Sequence, residues 1–516
     1  MTEQQFELPR VPITNLRQAI DYVDSTGELL RSDVPVDPDV EIVALQKHFD
    51  GGAALMFDRV VGYPDARMLT NLTATESRLA RVFGTRDIPE FKQRLIEAYR
   101  HPTAPRVVDD APVHEVVITD DIDVWPLVPM VAHTHDDPGR TLGGGVTLVT
   151  GRHFWGGTHV AYNRMNFRGP DWSSFQISPG SHGDMIASEF FGREPIPMTV
   201  NIGVPPSVAL LGSAGFTHML LHKGCDELGV AGTVQGSPVD IVRAKTVDAF
   251  AIAEAEWVIE GHLDTTERVW ESDAAEGSGE QGVHPFHPEW AGYMGKSYRT
   301  HKFTATAITH RADRPIYHSM GVHMTDVHLM ATLTREAALL EMADRLNPGF
   351  CTDVHIPWAM TDWGGAVFQV EKRRRRDEGA QINLMSMALS TSRGMKLAIA
   401  VDPDIDITNM DDVMWAVSTR VDPAVDLQRA VIGGLGQTFQ PAGDSAPGTE
   451  RTASNLRFSG GLMIDATVPV GQRARFERPR YAVDEIDPRR WFSADEIERG
   501  RATQHGWARF LADHGY

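Results

Sequence analysis

Cysteine is nearly absent from this chain of 516 residues: Cys225 and Cys351 are the only two. Two cysteines cannot build a disulfide framework, and such sparing use points to a reducing compartment. Basic charge is also short, with 49 lysines and arginines against 70 acidic residues and a formal net charge of −21. A phosphate backbone is repelled by such a surface, so nucleic acid is a poor partner. The one basic run, Lys372-Arg373-Arg374-Arg375-Arg376, is flanked by Glu371 and by Asp377-Glu378 and reads as a solvated face. No apolar run approaches the roughly eighteen residues that a membrane span needs. The N-terminus, MTEQQFELPR, has no apolar stretch of the kind a secretory signal carries. Internal repeats are missing too. These absences predict a soluble cytoplasmic protein with no membrane partner.

What is present is ordinary globular composition, 42% hydrophobic and 23% charged, in a chain too long for one core. Two or three domains are expected. Asn15 with Gln18 reads as a capping pair, and Leu16, Ala19, Ile20 and Val23 follow at helical spacing. Leu29 to Val36 alternates like a strand, and Ile42, Val43 and Leu45 are helical. The first part, 1–112, is therefore mixed α/β. In the middle part, 113–326, Val116 to Ile118, Val146 to Thr150, His159 to Tyr162, Met198 to Gly203 and Val239 to Arg243 read as strands. Helical stretches are expected at Gly183 to Phe191 and at Val247 to Ile259. Together they make a sheet or barrel crossed by helices. The last part, 327–516, opens with a long helix over Leu329 to Leu346 that ends at Asn347-Pro348-Gly349. Strands at Val354 to Ile356, Ala366 to Val370 and Leu397 to Val401, then a helix over Met410 to Val417, make a second α/β unit. Gly443 to Arg451 reads as a surface loop, and Ser493 to His514 as a helical tail suited to docking on another subunit.

His159, Arg164, His182 and Glu227 are the chemically capable residues of the middle part. If they converge, two imidazoles and a carboxylate suit Mn²⁺ or a similar divalent ion. A second group is His284-Pro285-Phe286-His287-Pro288-Glu289-Trp290-Ala291-Gly292-Tyr293. A carboxylate boxed by aromatic rings has its pKa raised by desolvation, which suits a general acid.

Asn15 to Ile42, Ile196-Pro197 through Pro205-Pro206, and Asp402 to Asp406 followed by Asp412 to Arg420 and Asp422-Pro423 resemble segments of the UbiD family of decarboxylases. The resemblance runs in one order through nearly the whole chain. It implies an α/β (α+β) multidomain fold with a central split β-barrel that binds flavin and a C-terminal α/β domain that dimerises. It implies a prenylated FMN, supplied by a flavin prenyltransferase, whose phosphate is held through Mn²⁺ and K⁺. It further implies an aromatic or heteroaromatic acid as substrate, reversible decarboxylation, and a homodimer or larger homo-oligomer.

Residue by residue, His182 and Glu227 match the family's metal ligands, and His159 stands where the family has asparagine. Arg164 matches the active-site arginine. Glu289 matches the second glutamate of a Glu-Arg-Glu network. The position of the first glutamate holds His284, with Glu280 and Glu276 as alternative carboxylates. Lys396 matches a lysine near the cofactor. Ser213, Ala214 and Gly215 lie where small residues let backbone N–H groups approach the flavin phosphate. His284, His287 and the glycine-rich stretch 277–282 suggest a nitrogen heterocycle, such as an indole-, pyrrole- or phenazine-carboxylate. Two other readings stand beside this one. His133-Thr134-His135 with Asp136 is compatible with a flavin-independent metal hydrolase or lyase. A non-catalytic flavin-binding protein of the same fold is the other.

Overall fold

The computed structural model describes residues 6–151, 157–178, 181–215, 217–222, 225–392, 394–432 and 459–516. The expected loop at Gly443 to Arg451 lies outside these residues, as do Pro179-Gly180 ahead of His182 and Gly224 ahead of Glu227.

Asn15 opens the first helix, Leu16–Ser25, by accepting the Gln18 N–H at 2.9 Å, and the helix buries Leu16, Ala19, Ile20 and Val23. Gln18 reaches back to the N–H of Thr14 rather than to that of Asn15. The neighbouring sheet runs in the order Leu29–Ser32, Ala54–Phe57, Arg67–Thr70, Ile316–His318. The strand expected over Leu29 to Val36 stops at Ser32, and Val36 makes only an isolated bridge to Val60. The fourth strand, Ile316–His318, comes from far along the chain. A bidentate pair from Arg17 to the fully buried Glu256, at 2.9 and 2.8 Å, makes a second tie between the N-terminal helix and the central domain.

The central sheet is antiparallel. Its path runs Thr158–Tyr162, Gly145–Thr150, Ile196–Ile202, Trp257–Trp270, Arg299–His310, Trp172–Phe175, Met165–Phe167. Val116–Ile118 pairs with Arg299–His310 off this path. The two ends of the path, Thr158–Tyr162 and Met165–Phe167, are consecutive in sequence and separated only by Asn163 and Arg164. The sheet therefore curls until its edges meet across those two residues, forming a half-barrel with Arg164 at the seam. An isolated bridge from Leu142 to Met165 ties the two sides together at this point.

The helix expected over Val247 to Ile259 is not formed; Phe250–Ile252 and the start of Trp257–Trp270 are strands. Alanine and glutamate favour helix locally, but pairing between two other strands overrides that preference. Glu256 and Glu260, within and just beyond this stretch, are fully buried and bonded. Glu260 accepts the N–H groups of Lys245 and Thr246 at 2.8 and 2.7 Å.

Helix Thr325–Leu346, about 33 Å long, leads into the C-terminal unit and is buried along most of its length. The unit's sheet runs Cys351–His355, Gly365–Val370, Leu397–Val401, Ser459–Ala466, Leu427–Ile432. The tail forms two helices, Ala494–Ala502 and Gly506–Asp513, rather than one. Among the described residues, no helix is long and apolar enough to cross a membrane.

Candidate active site

Arg164 leaves the seam of the half-barrel and is buried beneath Phe286, whose ring centre lies 4.6 Å from the guanidinium. Its Nε and Nη2 donate to Glu271 at 2.9 and 2.6 Å, a forked pair, and Nη1 donates to Glu289 at 2.7 Å. Nη2 also donates to the Lys296 carbonyl at 3.1 Å. Glu289 sits in the turn between the strands Pro285–Pro288 and Met294–Lys296. The turn closes through the Glu289 N–H to the Tyr293 carbonyl at 2.9 Å, with Gly292 at φ +79°. Gly295 lets the carboxylate lie flat against the second strand, because a Cβ there would stand 2.8 Å from Glu289 Oε1.

One cation faces two carboxylates in a site closed to water. Burial raises Glu289 to about 7, Arg164 opposes that rise, and Glu271 adds to it. Burial also raises Glu271. Glu271, however, has both guanidinium bonds and the Tyr298 N–H at 2.7 Å, so the negative charge settles there and the shared proton on Glu289. Burial works against the charge on Arg164, but the two carboxylates outweigh it and hold the guanidinium above its usual value.

The first carboxylate beside Arg164 is thus Glu271, which none of the sequence arguments named. His284 donates to or accepts from Ser278 Oγ at 2.8 Å, and no bond to Arg164 is present. Glu276 pairs with Arg168 at 2.8 Å, and Glu280 lies exposed. The stretch 273–278 winds into a short helix and carries the later carboxylates away from the arginine. The signal for Glu271 is faint: an acid just past Trp270, at the end of a long strand whose last residues are partly exposed, and before the helix cap Ser272.

His159, His182 and Glu227 do converge. One ligand atom from each lies within 4.8 Å of the others, and this is the one such group among the described residues. His159 lies on the strand Thr158–Tyr162, while His182 and Glu227 each open a helix, capped by Ser181 and Asp226. Nδ1 of His182 is 2.8 Å from one Glu227 oxygen, and Nδ1 of His159 is 3.1 Å from the other. The Val160 N–H donates to Glu227 at 2.7 Å. Burial opposes charge on Glu227, but His159 and His182 prevail and hold the carboxyl well below its ordinary range. An anionic carboxylate with two imidazoles fits a divalent ion of the Mn²⁺ or Zn²⁺ kind. His218 stacks on His182 with ring centres 4.5 Å apart, a neighbour the sequence did not suggest.

The remaining expected residues fall around these two groups. Ser213 ends the helix Pro206–Ser213 and bonds back to the Ala209 carbonyl, and Ala214 is its cap. A Cβ on Gly215 would stand 3.2 Å from Arg335 Nη2. Arg335 lies over Trp363 at 3.6 Å, and Trp363 meets Trp290, next to Glu289, at 5.8 Å. Lys396 is half-buried, burial lowers its pKa, and its N–H donates to the Gly364 carbonyl at 2.8 Å. The His133-Thr134-His135 motif splits: His133 is buried against Asp137 at 3.0 Å, and His135 and Asp136 are exposed.

The fold is that of a carboxy-lyase, and comparison with known proteins gives the family. Three domain profiles of 3-octaprenyl-4-hydroxybenzoate carboxy-lyase match in order: the N-terminal domain over residues 20–95, the Rift-related domain over 106–324 and the C-terminal domain over 328–466. The chain is 32% identical over 489 residues to the gallate decarboxylase of Lactiplantibacillus plantarum, covering 90% of this chain and 96% of that protein. It is 26% identical over 480 residues to the phenolic acid decarboxylase of Bacillus subtilis, covering 89% and 94%. The UbiD-class enzyme HmfF from Pelotomaculum thermopropionicum, solved with FMN, superposes with a TM-score of 0.78 at 28% identity, over 93% of this chain and 100% of that one. The apo 3,4-dihydroxybenzoic acid decarboxylase from Enterobacter cloacae gives 0.79 at 28%, over 94% and 100%. The chain belongs to the UbiD family, and it is an enzyme of the carboxy-lyase class.

Proposed function

We propose that the protein decarboxylates an aromatic or heteroaromatic acid, using prenylated FMN anchored through a divalent ion at His159, His182 and Glu227. The observation that carries this reading is Arg164 clamped between Glu271 and a protonatable Glu289 in a buried site. The donor set fits the anchoring ion, and K⁺ beside Mn²⁺ follows from the family. When bound, the flavin supplies the electron sink that an aromatic ring losing CO₂ does not have.

The chain's own residues do the rest. Glu271 fills one edge of the guanidinium and fixes its plane. The other edge, shared with Glu289, is where a substrate carboxylate docks. A substrate brings its own negative charge, so the proton on Glu289 keeps the site balanced while the acid binds. After CO₂ leaves, Glu289 is the group assigned to deliver that proton to the ring carbon. The apolar walls given by Phe286 and Trp290 keep out water and favour neutral CO₂ over the charged carboxylate. Ser213, Ala214, Gly215 and Lys396 are assigned to the flavin side of the cleft. A homodimer, a cytoplasmic setting and a flavin prenyltransferase as cofactor source complete the reading.

The test is co-expression with a flavin prenyltransferase, addition of Mn²⁺ and a screen of aromatic acids for CO₂ release. Release from at least one hydroxylated or nitrogen-bearing ring acid is expected. A flavin-loaded, metal-replete protein that releases CO₂ from none of them rejects the reading.

A further inference from the structure

Beside the arginine lies a second set of groups with no part in the chemistry above. His133 is buried, with its side chain 3% exposed, and its Nδ1 is 3.0 Å from Asp137 Oδ2. Asp137 also accepts the His133 backbone N–H at 2.8 Å and the Thr134 hydroxyl at 2.7 Å. Asp137 accepts from Nδ1, so of the two neutral tautomers of His133 it selects the one whose Nε2 carries the lone pair. Among the described residues, that Nε2 is buried and has no hydrogen-bond partner. An orphaned buried acceptor of this kind costs about 1–3 kcal/mol, so its persistence points to a ligand.

His287 lies alongside, with ring centres 5.5 Å apart. Its Nδ1 donates to the Pro288 carbonyl at 2.7 Å. Burial, reinforced by the Arg164 cation, keeps this ring neutral. Its Nε2 is therefore an acceptor as well. Two neighbouring acceptors cannot satisfy each other; a donor must come from elsewhere.

The place adjoins the arginine. A Cβ on Gly143 would stand 3.9 Å from His133 Nε2. The adjacent Leu142 bridges Met165, which puts Gly143 next to Arg164 across the seam. His287 follows Phe286, which covers the guanidinium, and precedes Glu289 by two positions.

We propose that His133, oriented by Asp137, and His287 read the ring of the substrate by accepting a hydrogen bond from a ring-borne O–H or N–H. This rests on the decarboxylase reading and narrows it to acids whose ring carries such a donor. Phenolic acids and pyrrole- or indole-type acids share that chemistry; furans and unsubstituted benzoates do not.

The test is calorimetric titration of the flavin-loaded, Mn²⁺-replete protein with near-isosteric pairs. One pair is 3,4-dihydroxybenzoate and 3,4-difluorobenzoate, and the other is pyrrole-2-carboxylate and furan-2-carboxylate. In at least one pair the donor-bearing acid binds tighter by on the order of 10- to 100-fold, and the pair that discriminates tells O–H from N–H. His287→Phe and His133→Phe reduce that ratio to within about twofold. Asp137→Asn, which preserves volume but releases the tautomer, reduces it as well and serves if His133→Phe does not fold. Equal binding within both pairs, or a ratio unchanged in the folded variants, overturns the proposal. CO₂ release is read separately: discrimination without CO₂ from any acid rejects the decarboxylase reading and leaves the recognition intact.

Discussion

Glu227 and Glu289 are both buried carboxylates in the same domain, yet their protons behave in opposite ways. Desolvation pushes both up. Glu227 receives two imidazoles and a backbone N–H, and these drive its carboxyl well below the usual range. Glu289 has one bond to a guanidinium already committed to Glu271, and it ends at about 7. Burial alone does not decide whether a carboxylate is a ligand or an acid. The number of positive and N–H partners, and how many other anions share them, decides it.

The comparison is broken most severely at the shared cation. Arg164→Ala leaves Glu271 and Glu289 buried without a partner. We expect decarboxylation to fall at least about 1000-fold and stability to fall by about 3–5 kcal/mol, read by CO₂ release and by denaturant unfolding. Glu227→Gln keeps the shape but removes the anionic ligand. Bound metal, measured by elemental analysis, should drop by more than the roughly 10–100-fold that loss of an outer partner costs, with flavin retention falling alongside.

The next effect is in pH. As the proposed acid Glu289 acts only when protonated, so the rate should decline about tenfold per unit above pH of about 7. The same shift has a sign for stability. A carboxyl raised to about 7 when folded favours the native state fully below its ordinary value near 4.5. That contribution is lost as pH rises from there through about 7. The smallest and most discriminating change is Glu271→Gln. It removes the anion that raises Glu289 and gives Arg164 over to it, so the alkaline limb of the rate profile should move to lower pH. A limb that stays in place would mean that Glu271 does not set the proton on Glu289.

Much of this was legible in the sequence because local rules and spatial rules agree there. Asn15 caps, the long helix before Leu346 is continuous, and Leu397–Val401 is a strand bounded as its pattern suggests. His159, His182 and Glu227 were named together, although nothing in their spacing requires that they meet. Glu271 was missed because its role comes from three-dimensional pairing. It lies at the far end of a 14-residue strand, and the chain then detours through a helix before returning to Glu289. Sequence distance to the arginine says nothing about such a return. Val247 to Ile259 was misread for a related reason: its alanines and glutamates are good helix formers, although Ala249, Ala251, Ala253 and Ala255 alternate at strand spacing, and the neighbouring strands make it a sheet. The buried His133–Asp137 pair was hidden inside a motif read for its possible metal ligands, with Asp136 rather than Asp137 as its carboxylate.

The most direct test of the central claim is single-turnover CO₂ release by flavin-loaded Glu289→Gln beside the wild type, with flavin absorbance recorded on the same samples. The account predicts intact absorbance and no detectable CO₂ from the variant. Release at the wild-type rate would contradict it.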